Sequence, residues 1–310
     1  MLKISKGVQS RPVKAVIYGP EGIGKSTITS KFPDVLFIDT EGGTSRLDVS
    51  RTQVPQSWTE LLEIVDDVYN DGTVCKTLAL DTADWAEGLC IKHVCEKYQK
   101  KGIEEFGYGK GYVYLSESFR ELLDKLSNLI DIGINVVITA HAHIKKFEQP
   151  DEMGAYDRWE MKLTKHDAPL LKEWADMLLF ANYETMVVKT DNDKNKAQGG
   201  KRVMFASHSP CWDAKNRYGL PDKMELDFSN IAHLFENTES LYAKLSDLMA
   251  TSQISVDDIH SFVRTVSPDL DPNLDITEYP PKMFKQIIDR WNFVVETINK
   301  NKIKEDVKDE

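Results

Sequence analysis

Cysteine is scarce in this chain, since its 310 residues include only four and none of them forms a Cys-x-x-C pair. The seven histidines follow no zinc-binding spacing either. These patterns exclude a recognisable zinc finger and a disulfide framework, and we expect reduced thiols with a structural role. The four residues are Cys75, Cys90, Cys95 and Cys211.

Long apolar runs and an excess of positive charge are also missing. No stretch of about 18 apolar residues occurs, so no membrane-spanning helix is expected. The N-terminal segment 1–6 has no apolar core of signal-peptide length, which favours a cytoplasmic protein. The formal net charge of −11 argues against broad, charge-driven coating of nucleic acid. It is still compatible with a local basic groove, because charge can be unevenly placed.

The sequence does contain a glycine-rich segment that fits G-x-x-x-x-G-K-[ST], the phosphate-binding loop of P-loop nucleotidases. An apolar strand candidate at 13–18 precedes it and a helix candidate at 26–31 follows it, which is the context that the motif needs. Lys25 would reach the β- and γ-phosphates of ATP, and the Ser26 hydroxyl would hold Mg²⁺. The predicted nucleotide-binding residues are Gly19, Pro20, Glu21, Gly22, Ile23, Gly24, Lys25, Ser26 and Thr27.

Carboxylates follow two further apolar strand candidates. Residues 35–39 lead into Glu41, which could orient or deprotonate a water at the γ-phosphate, or could be only a turn residue before two glycines. Residues 77–81 end in Asp81, which fits a Walker B aspartate that binds Mg²⁺ together with Ser26. Because α/β sheets bind ligands at the carboxyl ends of their parallel strands, both carboxylates should line one pocket.

A fourth apolar strand candidate, residues 135–141, ends in His141. This histidine could sense the γ-phosphate and relay its presence to the following segment, or it could be an ordinary hydrogen-bonded residue at a strand end. Its position in the sequence does not separate the two. The following residues, 145–159, are interpreted as a long loop of mixed charge, and loops of that length are often functional.

Aromatic and basic residues concentrate in two segments after the Walker B strand candidate. The first contains Tyr108, Lys110 and Tyr112, and the second contains Lys145 and Lys146. Rings that stack on bases, beside lysines that contact phosphates, are typical of single-stranded DNA binding. Flexible connections with solvated lysines are the alternative, and the sequence leaves both interpretations open.

The order of these motifs resembles that of the RecA-like ATPases, from the phosphate loop through Glu41 and Asp81 to His141. The resemblance implies an α/β fold, namely a RecA-like P-loop core with a mostly parallel sheet flanked by helices. It also implies that Glu41 is the catalytic base. The superfamily often has glutamine at the place of His141, so this chain departs from the pattern there.

A later segment, residues 214–219, resembles the A-K-x-R-x-G loop of DnaB-type replicative helicases. In those rings the lysine and arginine reach into the nucleotide site of the neighbouring subunit. Carried over, Lys215 and Arg217 would stabilise charge on the γ-phosphate of the next protomer. The resemblance therefore implies a homo-oligomer, a ring or a filament, with active sites at the subunit interfaces.

More closely, residues 19–221 are similar to the phage-type "AAA domain" ATPases, some of which belong to the Sak group of single-strand annealing proteins. The similarity implies a Mg²⁺-dependent ATPase that is stimulated by single-stranded DNA and promotes annealing or strand exchange in the cytoplasm of a bacterial host. A single-strand DNA-binding protein is then a candidate partner. Two alternatives stay open: a DnaB-like helicase or loader motor, and a nucleotide-gated scaffold that binds a protein partner, which the acidic net charge supports.

Strand signals stop after Phe228, and three helix candidates follow. We therefore predict an ATPase core over residues 1–228, a helical C-terminal region over 229–303 and a charged tail over 304–310. The apolar stripes of these helices are most simply explained by packing within the region.

Overall fold

The computed structural model describes residues 6–7, 11–148, 154–189, 195–235, 241–268, 270–271 and 274–306. Strands and helices alternate through its first half, as expected for a parallel sheet. In chain order these are β1 (Lys14–Gly19), α1 (Lys25–Thr29), β2 (Val35–Asp39), β3 (Ser50–Arg51), α2 (Trp58–Asp71), β4 (Thr77–Asp81), α3 (Ala83–Lys97), α4 (Lys110–Asp131) and β5 (Asn135–Glu148).

The second half adds antiparallel strands and then helices. Its elements are β6 (Ala155–Met161), α5 (Asp167–Trp174), β7 (Met177–Lys189), β8 (Asn195–Phe205), β9 (Lys215–Asn216), β10 (Lys223–Glu225), α6 (Leu241–Ser252), α7 (Val256–Val266), α8 (Pro281–Asp289) and α9 (Trp291–Asp306). Among the helices of the described residues, none is both long and apolar enough to cross a membrane.

The central sheet has the strand order β10-β8-β7-β1-β5-β4-β2-β3. From β7 to β3 all neighbouring strands are parallel, whereas β8 and β10 continue the sheet in antiparallel pairing. Strands β6 and β9 pair antiparallel with β5 and β7. The predicted mixed α/β fold, with a mostly parallel sheet flanked by helices, is confirmed. The carboxyl ends of β1, β2 and β4 and residue His141 of β5 lie along one edge of the sheet.

The parallel strands are apolar on both faces because each face is covered. On β1, Val16 and Tyr18 belong to the core that α2, α3, α4 and α5 cover, whereas Ala15 and Ile17 belong to the core on the face of α1. All four side chains are almost completely buried. This two-sided burial explains why the strands appear in the sequence as continuous apolar runs.

Both ends of helix α2 have residues that suit the start and the end of a helix. The Ser57 hydroxyl accepts a hydrogen bond from the Glu60 amide at 3.1 Å, and the helix ends at Gly72 with a left-handed φ of 69°. A Cβ on Gly72 would lie 2.7 Å from Cγ of Pro281, the first residue of α8. Glycine is therefore required here both for the conformation and for the close approach of the C-terminal helices.

The predicted long loop at 145–159 is wrong for the part of it that the structure describes. Strand β5 continues seven residues beyond His141, and β6 pairs with it in an antiparallel hairpin. Lys145 and Lys146 interrupt the apolar pattern of this extension, so the sequence alone does not indicate a strand there. Cross-strand pairs support the hairpin instead, because Lys146 lies opposite Asp157 and the rings of Phe147 and Tyr156 are 5.6 Å apart. Residues 149–153 lie outside the described residues.

The C-terminal helices α6 to α9 form a core of their own. Helix α9 continues to Asp306, into the segment predicted as a charged tail, and residues 307–310 lie outside the described residues. Contacts join the helices to the sheet domain, since Lys282 Nζ lies 3.2 Å from Asn70 Oδ1 and Lys285 Nζ lies 2.9 Å from Asp131 Oδ2. The boundary predicted at residue 228 stays a prediction. The shared core includes Leu245, Ile259, Phe262, Phe284, Ile287, Trp291 and Val294.

Candidate nucleotide-binding site

A cavity of about 450 Å³ opens at the carboxyl edge of the parallel strands. The phosphate loop forms one wall, and another is formed by residues after β2, by the end of β4 and by His141 of β5. The structure thus brings together most of the predicted nucleotide, metal and catalytic residues. The lining residues are Glu21, Gly22, Gly24, Lys25, Ser26, Thr27, Glu41, Gly43, Arg46, Leu47, Asp81, Thr82, His141 and Arg202.

The phosphate loop has the backbone and the cation that a phosphate group needs. Gly24 adopts a left-handed φ of 110° and stands at the N-terminus of α1. Lys25 is 6% exposed, and its ammonium group donates to the carbonyls of Gly19 and Pro20, both at 3.1 Å. Burial lowers the pKa of Lys25, and the charge of Asp81 opposes that shift. Because an ammonium group has three N–H donors, Lys25 keeps one for an anionic oxygen.

The next residue, Ser26, lies against the predicted Walker B aspartate. The Ser26 hydroxyl donates to Asp81 Oδ2 at 2.6 Å, and the Thr139 hydroxyl donates to Asp81 Oδ1. A carboxylate beside a hydroxyl is the donor set that suits Mg²⁺, whose charge would neutralise the β- and γ-phosphate oxygens. The described residues contain no group of three His, Cys, Asp or Glu side chains placed to hold a metal.

A buried carboxylate fixes the loop that carries Glu41. The Asp39 side chain accepts hydrogen bonds from the amides of residues 41, 42, 43 and 44 and from the Thr44 hydroxyl, at 2.6–3.2 Å. Burial alone would raise the pKa of Asp39, but the bonds from Thr44 and from the two glycine amides outweigh it and lower that pKa. Glu41 itself is 39% exposed and faces the cavity. Sequence reasoning gave Asp39 no role, although it stands two residues before Glu41 at the end of the strand.

His141 is held between two carboxylates. Its Nδ1 lies 2.9 Å from Asp84 Oδ2, its amide donates to Asp84 Oδ1 at 2.9 Å, and its Nε2 lies 3.9 Å from Glu41 Oε2. Burial alone would raise the pKa of Asp84, but the hydrogen bonds from His141 have the larger combined effect, so the pKa of Asp84 is lowered. An ionised Asp84 keeps the proton on Nδ1 and leaves Nε2 facing the cavity. Asp84 was missed, although it lies in the first turn of the helix that follows Asp81.

Comparison with known families agrees with this geometry. The sequence model of the AAA domain family matches residues 11–218. The chain belongs to this AAA domain family. The match covers every lining residue of the cavity and the loop at 214–218. It shows a P-loop ATPase-like domain, and hence nucleotide-dependent ATPase chemistry, while the phage and annealing specificity is not part of it. No curated protein matches the chain in sequence.

In this AAA domain protein Lys215 and Arg217, which are predicted to act on a neighbouring subunit, lie far from their own phosphate loop. Strand β9 pairs with the first residues of β7, at the level of Ala15 in β1. From Ala15 to Gly19 is four residues, or roughly 13 Å along a strand. Lys215 Nζ donates to the carbonyls of Lys172 and Glu173 at the end of α5, at 3.2 and 3.0 Å.

Its neighbour in the same loop has an acidic partner. Arg217 Nη1 donates to Asp176 Oδ1 at 2.5 Å, and Arg11 lies 2.8 Å from the other oxygen of that carboxylate. Arg217 is 56% exposed, so solvent screens its contribution to stability. Neither Lys215 nor Arg217 lines the cavity of its own chain, and their action on a neighbouring subunit stays a prediction.

The predicted DNA-contacting residues also lie outside the cavity. Tyr108 is fully exposed, Lys110 is the first residue of α4, and Tyr112 stacks on His166 with ring centroids 5.0 Å apart. Lys145 and Lys146 are exposed on β5. Lys145 Nζ lies 3.4 Å from Glu160 Oε2 on the paired strand. DNA contact by these residues stays a prediction.

A pair of buried carboxyl groups lies between α3, α4 and α5. Glu87 accepts from the Thr164 amide at 2.9 and 3.1 Å, and Asp167 accepts from the Ser116 hydroxyl at 2.7 Å. Burial raises the pKa of Glu87 to about 8, and it also raises the pKa of Asp167. At neutral pH the pair therefore holds a proton, which sequence reasoning missed because the two residues are eighty positions apart.

Proposed function

We propose that this AAA domain protein is a Mg²⁺-dependent ATPase that binds single-stranded DNA under control of the bound nucleotide and promotes annealing or strand exchange. One observation carries the proposal. Strand β5 passes the nucleotide pocket at His141 and continues without a break to Lys145 and Lys146. The γ-phosphate region and a hairpin with two exposed lysines therefore share one strand, so contacts where the hairpin begins can couple the two.

In the pocket, each residue has a distinct task. Lys25 and the loop amides bind the phosphates, and Ser26 with Asp81 positions Mg²⁺. Glu41 orients and deprotonates the attacking water. His141, held by Asp84, senses the γ-phosphate through its Nε2.

The hairpin has two attachment points at the pocket. The Lys162 amide, one residue after β6, donates to the His141 carbonyl at 2.8 Å. The Lys162 ammonium group lies 3.8 Å from Glu21 Oε1 in the phosphate loop. A rearrangement of either His141 or Glu21 when ATP replaces ADP would therefore reach the base of the hairpin.

The other candidate DNA-contacting segment, which contains Tyr108, Lys110 and Tyr112, lies at the same end of the fold. Helix α4 ends just before β5 begins at the amino edge of the sheet, so α4 begins, at Lys110, near the carboxyl edge. Tyr108 and Tyr112 flank this helix start. Aromatic rings and lysines on both segments would stack on bases and neutralise phosphates, which supports single-stranded rather than duplex DNA.

Assembly completes the proposal. Lys215 and Arg217 lie away from the cavity of their own chain, so a role at the γ-phosphate requires a neighbouring subunit. We propose a ring or filament in which these residues act in trans, with a single-strand DNA-binding protein as a candidate partner. The same arrangement would serve a helicase or loader motor, and strand displacement of a duplex would favour that function.

The test compares ATP hydrolysis, single-strand binding and annealing of complementary strands. We expect DNA to stimulate hydrolysis by the wild type and Lys25→Ala to abolish hydrolysis. The double variant Lys145→Ala/Lys146→Ala should weaken DNA binding and lower its salt slope by about 1.4, since each single-strand phosphate contact contributes about 0.7. Lys92→Ala/Lys300→Ala removes the same charge from exposed positions elsewhere and should have little effect. Absence of DNA binding at low salt in every nucleotide state would refute the proposal.

A further inference from the structure

Two arginines that belong to no motif line the nucleotide cavity. Arg46 comes from the short 3-10 turn Gly43–Arg46 after β2, and Arg202 comes from β8. Within the described part of the chain, neither guanidinium group forms an ion pair or a side-chain hydrogen bond. Both cations are therefore available to a ligand in the cavity.

Arg202 lies directly against the start of α1. A Cβ on Gly24 would come within 3.2 Å of Arg202 Nη1 and within 3.9 Å of Leu226 Cδ2. The backbone of Arg202 is fixed from two sides, because it pairs with Tyr183 in β7 and its carbonyl accepts from the Leu226 amide at 3.1 Å. The guanidinium group thus projects over the phosphate loop from a rigid strand.

Arg46 projects from a braced turn. The Asp39 carboxylate fixes the amides that lead into this turn. Arg51 Nη2 donates to the carbonyls of Thr44 and Leu47 at 3.0 and 2.6 Å. The same braced segment carries Glu41, so one set of hydrogen bonds positions both Arg46 and the candidate base.

The strand order assigns the two arginines to opposite sides of the phosphate loop. Strands β7 and β8 lie on one side of β1, whereas β5, β4 and β2 lie on the other. Glu41 follows β2, Asp81 ends β4 and His141 lies in β5, so the γ-phosphate belongs on the side of the second group. Arg46 is on the γ-phosphate side, and Arg202 is on the opposite side, against Gly24.

The lining residues other than the two arginines carry more negative than positive charge, which is unfavourable for an anionic ligand. Glu21, Glu41 and Asp81 contribute three carboxylates, while Lys25 is the one lysine among the lining residues. A triphosphate adds further negative charge, of which Mg²⁺ neutralises only a part. Arginine suits the task because its planar fork binds phosphate oxygens in pairs.

We propose that Arg46 and Arg202 are nucleotide-binding residues with different tasks. Arg46 contacts the γ-phosphate and makes the site prefer ATP over ADP. Arg202 contacts the α- and β-phosphates and holds both nucleotides alike. The inference rests on nucleotide binding by the AAA domain and is independent of any DNA role.

The test measures the affinity of the full-length protein for fluorescent ATP and ADP analogues with Mg²⁺ and without DNA. A charge-assisted hydrogen bond contributes about 1.5–3 kcal/mol, which corresponds to roughly 10- to 150-fold in affinity. Arg46→Ala should weaken ATP binding by about tenfold or more and leave ADP binding nearly unchanged. Arg202→Ala should weaken ATP and ADP binding in parallel. Arg46→Lys and Arg202→Lys should recover part of each loss.

Neighbouring substitutions serve as matched controls. Lys201→Ala, on the same strand as Arg202, removes a cation that pairs with Glu225 outside the cavity. Ser45→Ala changes the residue next to Arg46. Both should bind nucleotides as the wild type does, and thermal unfolding without nucleotide checks that every variant is folded.

Each outcome decides the inference. Equal losses of ATP and ADP binding in Arg46→Ala, or a selective ATP loss in Arg202→Ala, would show that the assigned sides are wrong. Wild-type affinities in both variants would overturn the inference entirely. If Lys25→Ala also binds normally, the nucleotide does not occupy this cavity and the ATPase mechanism fails as well. If Lys25→Ala loses binding and only the arginine variants do not, the failure is confined to the arginines.

Discussion

The most direct test of the site is the substitution Asp39→Asn, because one carboxylate holds the whole loop that carries Glu41 and Arg46. The two oxygens of Asp39 accept from four amides and one hydroxyl. In asparagine one oxygen becomes an NH₂ group, which would face either the Thr44 amide and hydroxyl or the amides of residues 41–43. In either orientation, the N–H donors of the asparagine face backbone N–H donors and cannot form a hydrogen bond with them.

The magnitude follows from the burial of these groups. Thr44 is fully buried and Asp39 is 3% exposed, so water cannot replace the lost bonds. Leaving a buried donor unsatisfied costs about 1–3 kcal/mol, and the remaining bonds lose their charge assistance. We expect the free energy of unfolding to fall by about 2–4 kcal/mol. Because misplacing a catalytic group by about 1 Å can cost a hundredfold in rate, single-turnover hydrolysis at saturating ATP should fall at least tenfold.

The pH dependence of stability gives a second readout. The pKa of Asp39 is lowered in the folded protein, so its contribution to stability is present above the unfolded pKa of about 3.9 and is lost as the pH falls through the folded pKa. The difference in stability between wild type and Asp39→Asn should therefore be full at pH 7 and shrink in acid. Urea unfolding at a series of pH values measures it.

Asp48→Asn is the matched control, since Asp48 is exposed in the same segment. It should change neither stability nor rate. An unchanged urea midpoint in Asp39→Asn would refute the hydrogen-bond argument. A destabilised variant that hydrolyses ATP at the wild-type rate would show that the loop does not position Glu41.

Three further predictions concern other parts of the site. Thr139→Val removes the hydroxyl that donates to Asp81 and should raise the Mg²⁺ concentration needed for half-maximal hydrolysis, measured by Mg²⁺ titration. Arg217→Ala should keep ATP binding and lose most hydrolysis. An equal mixture with Glu41→Gln should recover about a quarter of the wild-type rate, because about one pocket in four then combines an intact Glu41 with an intact Arg217 from the neighbouring subunit. No recovery would contradict shared sites. Glu87 has a raised pKa, so the wild type should lose stability as the pH rises from about 5 to 8. Glu87→Gln should flatten that dependence in thermal unfolding. If the pH profiles of the variant and the wild type run parallel, the buried protonated pair is contradicted.

Much of the nucleotide pocket could be predicted from the sequence because its signals are local. The phosphate loop is a contiguous motif, and the strands that lead to Asp81 and His141 are apolar runs with polar ends. Parallel strands place their carboxyl ends at one edge, so these residues had to meet once the strands were recognised. Asp84 was equally local, and its position in the first turn of α3 could have identified it.

The rest of the site depends on contacts that no local pattern encodes. Arg202 reaches the phosphate loop only because β8 folds back antiparallel beside β7, about 180 residues after Gly24. Arg46 lies in a turn whose geometry Asp39 determines. The extension of β5 was hidden because Lys145 and Lys146 interrupt its apolar pattern, and cross-strand pairs with β6 stabilise it instead.

The division of β5 into two parts suggests how a nucleotide could act on the hairpin. Residues 135–141 are packed between β1 and β4, whereas residues 142–148 pair with β6. A close-packed sheet does not bend easily. A change of contacts at the base of the hairpin therefore costs less free energy than a deformation of the strand, and is the better route for a signal. Two such contacts border the pocket, at the His141 carbonyl and at Glu21, and both involve Lys162. If the hairpin binds DNA, binding and the γ-phosphate must then influence each other reciprocally, because a coupling free energy acts equally in both directions.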